Sequence, residues 1–85
     1  MECKYLGFLE RTLESIVNHP EDVLLEKSTD EMGVLIKVKI HKDDFPIVIG
    51  KQGKVIDALR TLVRSVAAKE NARVSIKLED DPRRS

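Results

Sequence analysis

Gly50 and Gly53 constrain this chain more than any other feature, because they break an apolar run on one side from a helical pattern on the other. Phe45, Ile47, Val48 and Ile49 lead up to the first glycine, and from Lys54 onward apolar residues recur at helical spacing. Such a chain must turn sharply between two helices. Glycine tolerates backbone angles that side chains forbid, and it lets a second backbone come close. The amides that open a helix are unpaired and carry partial positive charge, which favours an anion. Lys51 places a full charge at the tip of the turn, and Lys54 places another a helical turn further on. The stretch Val48-Ile49-Gly50-Lys51-Gln52-Gly53-Lys54 therefore reads as a clamp for a phosphodiester backbone, with a plain connector between two helices as the alternative.

With 85 residues the chain makes one domain, expected over 1–79, followed by a polar tail over 80–85. Its 41% apolar and 35% charged residues place it among globular chains rather than disordered ones. Tyr5, Phe8 and Phe45 are its only aromatics, too few for a binder built on rows of stacking platforms. Fifteen basic and fifteen acidic residues cancel, so attraction to a polyanion has to be local. Cys3 is the only cysteine, which excludes an internal disulfide and a cysteine-built metal site and reads as an ordinary free thiol. His19 and His41 are far apart in sequence and read as turn or surface residues, so no metal and no cofactor are expected. No apolar run approaches the length of a membrane span, and no signal-peptide pattern opens the chain. The expected setting is the cytoplasm, with no membrane partner.

Along the chain, Leu6, Leu9, Leu13, Ile16 and Val17 predict an amphipathic first helix that stops near Asn18-His19, ahead of Pro20. Val23-Leu24-Leu25 reads as a short edge strand and Ser28–Gly33 as a polar loop. Val34, Ile36, Val38 and Ile40 alternate with Leu35, Lys37, Lys39 and His41 in a strand that is buried on one side, and the two strands should form an antiparallel hairpin. Lys37 and Lys39 read as a solvated face or as a second basic surface. Asp43 or Asp44 is placed to cap a short helix that tolerates Pro46 in its first turn. After the glycines a longer helix runs from about Lys54 to about Glu70, with Asn71 as a left-handed stop. Val74, Ile76 and Leu78 mark a last strand, joined to the earlier one by a connection long enough for a parallel crossover. The fold class is thus α+β, in the order α-β-β-α-α-β, with a mixed three-stranded sheet and the helices packed on one face.

The pattern Ile49-Gly50-x-x-Gly53-x-x-Ile56-x-x-Leu59 resembles the core signature of the KH nucleic-acid-binding domain, and the element order resembles its type II form over essentially the whole chain. Together with His19 to Val23, Val48 to Gly53 and Ala58 to Val63, the chain is similar to the KhpA family of small bacterial RNA-binding proteins. It departs at Phe45-Pro46, where a smaller, glycine-containing turn is expected. The resemblance implies a non-catalytic binder of single-stranded RNA. Ile49, Gly50, Lys51, Gln52, Gly53, Lys54, Ile56 and Arg60 would line its contact. Ile56 and Leu59 serve equally well as core, and Arg60 could instead pair with Asp57 or Glu70. The central strand would form the far wall of the groove, with Ile36 and Val38 beneath.

A second face lies on the long helix, where Ala58, Thr61, Ser65 and Ala68 form a row of small residues bordered by Leu62. From the pattern alone it is either a bland exposed face or a seat for another helix. The resemblance implies pairing with a second copy, or with a larger KH protein of the Jag type (KhpB or EloR). It also implies a role as an RNA chaperone or post-transcriptional regulator linked to cell elongation and division. The alternative is a protein–protein adaptor or ribosome-associated assembly factor that binds little RNA itself. No phosphate loop of the nucleotide-hydrolase kind, metal-ligand spacing or paired nucleophile and base points to an enzyme.

Overall fold

The structure, a computed structural model, describes residues 3–82. Helix α1 spans Lys4–Ile16, strands β1 and β2 span Leu24–Asp30 and Gly33–Lys39, helices α2 and α3 span Phe45–Ile49 and Lys54–Ala68, and strand β3 spans Val74–Leu78. The order is the expected α-β-β-α-α-β. Of the polar tail expected over 80–85, residues 83–85 lie outside the described part.

In the sheet, β2 lies between β1 and β3, antiparallel to the first and parallel to the second. Val34, Ile36 and Val38 stand beside Val74, Ile76 and Leu78, and this shared face meets the helices. On the other face Ser75 and Lys77 are exposed while Leu35 and Lys37 are half-buried, so the alternation of both strands separates core from solvent. Lys37 has Glu26 and Lys77 as its cross-strand neighbours.

Three expectations are corrected. The polar loop expected over Ser28–Gly33 is mostly strand: β1 continues to Asp30, and only Glu31 and Met32 make the turn before β2. An edge strand needs few apolar residues, because its ladder to β2 supplies the order that composition does not. Strand β2 ends at Lys39, not at His41, although Ile40 remains buried. The buried face of α1 is Tyr5, Leu9, Leu13 and then Val17, whereas Leu6 is half-buried and Ile16 exposed; the apolar stripe is rotated by about one position and takes in the tyrosine.

Helix α3 buries Ile56, Leu59, Val63 and Ala67 against this core. Its end is a left-handed stop: Asn71 has φ +56°, and the Ala72 amide reaches back to the Ala67 carbonyl at 3.0 Å. Among the described residues no helix is long and apolar enough to cross a membrane.

Candidate nucleic-acid interface

Helix α2 closes when the Gly50 amide donates to the Pro46 carbonyl at 2.9 Å. A tight 3-10 turn follows, in which Gly53 donates to the Gly50 carbonyl at 3.2 Å and Lys54 to that of Lys51. This pairing engages the Gly50, Gly53 and Lys54 amides and sets Lys51 and Gln52 at the exposed tip. Gly50 has φ +76° and ψ 177°, and Gly53 has φ +76° and ψ 13°. A Cβ on Gly50 would lie 2.3 Å from Val55 Cγ2 and 2.9 Å from its nitrogen, so the turn closes only because that atom is missing. Gln52 adopts a left-handed conformation itself, φ +57° and ψ 26°, which is uncommon for a side chain of its kind.

Lys51, Gln52 and Lys54 are exposed, and Gly53 is buried beneath them. Ile49 and Ile56 are only 9% and 1% exposed and belong to the core, as does Leu59. As folded, the two isoleucines pack in the core beside the turn. Arg60 takes Asp57 as partner, Nη1 to Oδ1 at 3.3 Å, rather than Glu70, whose carboxylate accepts from the Lys4 amide. That exposed pair offsets an acidic charge in the first turn of α3.

The anchor of α2 was not visible in the sequence. Asp44 occupies the N-cap position of this helix, yet its side chain caps nothing there. It is fully buried and turns back to the end of α1, accepting from the Asn18 amide at 3.2 Å and the His19 amide at 3.0 Å. Its Oδ2 also lies 3.2 Å from His19 Nδ1, which must carry the proton because an ionised carboxylate only accepts. Burial pushes this carboxyl up, but the amide and ring hydrogen bonds outweigh burial and hold it below its ordinary value. The amide of Asp43 instead donates to His41 Nδ1 at 3.0 Å. His19 and His41, distant in sequence, are stacked with ring centroids 3.8 Å apart. Cys3 is a free thiol; Lys27 Nζ donates to its sulfur at 3.0 Å, and hydrogen bonds from Lys27 and Tyr5 draw its pKa down.

On α3, Ala58, Thr61, Ser65 and Ala68 form an exposed row, and Leu62 beside them is 49% exposed. The hydroxyls of this row do not face outward in search of partners. Thr61 Oγ1 donates to the Asp57 carbonyl and Ser65 Oγ to that of Thr61, each at 3.1 Å, so the row presents methyl and methylene groups.

A three-stranded mixed sheet in this order, with a glycine-bracketed, lysine-tipped turn between two helices, defines a single small KH domain. A family model described as the KH domain of KhpA/KhpB matches residues 7–78, and the chain belongs to that family. The RNA-binding protein KhpA of Clostridium acetobutylicum is 36% identical over 70 residues, which is 82% of this chain and 93% of that protein. KhpA of Halalkalibacterium halodurans is 36% identical over 72 residues, covering 85% and 95% of the two chains. KhpA of Chlamydia pneumoniae is 32% identical over 74 residues, covering 87% and 95%.

Proposed function

We propose that this protein binds single-stranded RNA without catalysis, taking the phosphate backbone on the turn between α2 and α3. The observation that carries this reading is the exposed tip, where Lys51, Gln52 and Lys54 stand open to solvent on a turn bracketed by two glycines of positive φ. Phosphate oxygens accept from the lysine-tipped turn. The ligand is an unpaired strand, because only such a strand can lay its bases against a protein surface while its phosphates sit on a backbone turn. The relatives named as RNA-binding proteins support the same reading. With 15 basic against 15 acidic residues, attraction is local to the turn, so a single domain binds weakly and with slight sequence preference.

The face of Ala58, Thr61, Leu62, Ser65 and Ala68 is read as the seat of a second KH protein, either another copy or a Jag-type partner. Two joined turns raise effective affinity without new contacts, as suits an RNA chaperone or post-transcriptional regulator. The link to cell elongation and division and the cytoplasmic setting belong to this same proposal. The net charge of zero favours one competing reading, a protein–protein adaptor with little RNA binding of its own.

The double variant Lys51→Asp, Gln52→Asp separates them. It sets two carboxylates where phosphates approach, and neither parent side chain is buried. Anisotropy with a fluorescent single-stranded RNA should show binding lost at an almost unchanged Tm. For the wild type, two or three neutralised phosphates give a log–log salt slope of about −1.4 to −2.1. Retained binding in the double variant would reject the clamp.

A further inference from the structure

His19, beyond the end of α1, and His41 and Asp43, ahead of α2, form a cluster that the binding turn does not use. Each offers one donor atom to a metal, and these atoms lie within 4.8 Å of one another. All three are reachable from solvent, the histidines half-buried and Asp43 exposed. His19 is already prepared as a ligand. Its Nδ1 proton is held by the buried Asp44 carboxylate, which leaves the lone pair on Nε2. Metal-bound imidazoles almost always have their other nitrogen held in this way, because the outer partner fixes the tautomer and raises basicity.

One local change has to accompany binding. The two rings lie 13° from parallel, and imidazole lone pairs lie in the ring plane, so the stacked pair cannot aim at one ion. His19 is fixed by Asp44. His41 is held by the stack and by the Asp43 amide, and its Nδ1 is 3.8 Å from the Asp43 carboxylate. His41 is therefore the ring that turns.

We infer that His19, His41 and Asp43 form a site for a borderline divalent ion such as Zn2+, with water completing the tetrahedron. Two imidazoles and a carboxylate suit Zn2+, Ni2+ or Cu2+, whereas Mg2+ and Ca2+ take oxygen donors. Glu21, Asp22 and Lys39 line one concavity with His41, two carboxylates against one ammonium. An ion held there joins the end of α1 to the start of α2 and so favours the folded chain.

The test is calorimetric titration of Zn2+ into the full chain carrying Cys3→Ala, so that the thiol plays no part, with thermal unfolding in parallel. Saturable binding of one ion per chain in the micromolar range is expected, with a raised Tm. His41→Ala and Asp43→Asn, neither of them among the buried core residues, should each weaken binding by more than about 10-fold, and Mg2+ should do neither. His19 is left unchanged because it also holds Asp44. The absence of saturable binding at micromolar Zn2+, or equal binding in the His41→Ala chain, overturns the site.

Discussion

Asp44 and His19, 25 positions apart, meet with carboxylate Oδ2 at 3.2 Å from ring Nδ1. The same carboxylate accepts both amides at the end of α1, so one side chain joins the first helix to the helix that carries the binding turn. A buried acceptor serving several donors is costly to remove, since each donor left behind keeps its desolvation penalty. Asp44→Ala should therefore lower Tm by more than about 5 °C, and Asp44→Asn by less, because its amide oxygen still accepts. Circular dichroism melting checks this. A loss below about 2 °C for the alanine variant would mean that the joint does not hold the helices together.

Both glycines need a positive φ, and at Gly50 a Cβ would also run into Val55. Gly53→Ala should cost about 1–2 kcal/mol from backbone strain. Gly50→Ala adds the overpacking, for a total of about 3 kcal/mol or more. Urea unfolding should show both losses; a Gly50→Ala chain as stable as the wild type would contradict the geometry of the turn.

Thr61→Arg places a long cation in the centre of the small-residue row on α3 without touching the core. Light scattering on the wild type should report a dimer, and on the variant a monomer of unchanged Tm. A variant that remains dimeric moves the contact to another surface.

The parts of the fold that were legible in the sequence are those governed by local rules. The alternation of Val34, Ile36 and Val38, Pro46 in a first turn, the left-handed Asn71 and the glycine pair each report a backbone state fixed by its own residues. The illegible parts depend on neighbours brought from elsewhere. Ser28, Thr29 and Asp30 have the composition of a loop and become strand because Leu35, Val34 and Gly33 pair with them. Asp44 carries the signature of an N-cap, and only the approach of α1 gives it better donors than its own helix. Nothing in the spacing of His19 and His41, or of Cys3 and Lys27, announces that they meet. The spacing of Ile56 suits core and contact alike, and its burial is decided by how α3 is rotated against the sheet.

The turn owes its shape to Gly50, Gly53 and the Pro46 carbonyl, while the side chains of Lys51 and Gln52 are exposed. Folding is therefore nearly blind to what stands at those two positions. Such a tip can be rewritten, by drift or by an engineer, to retune the grip on a strand while the scaffold beneath stays the same.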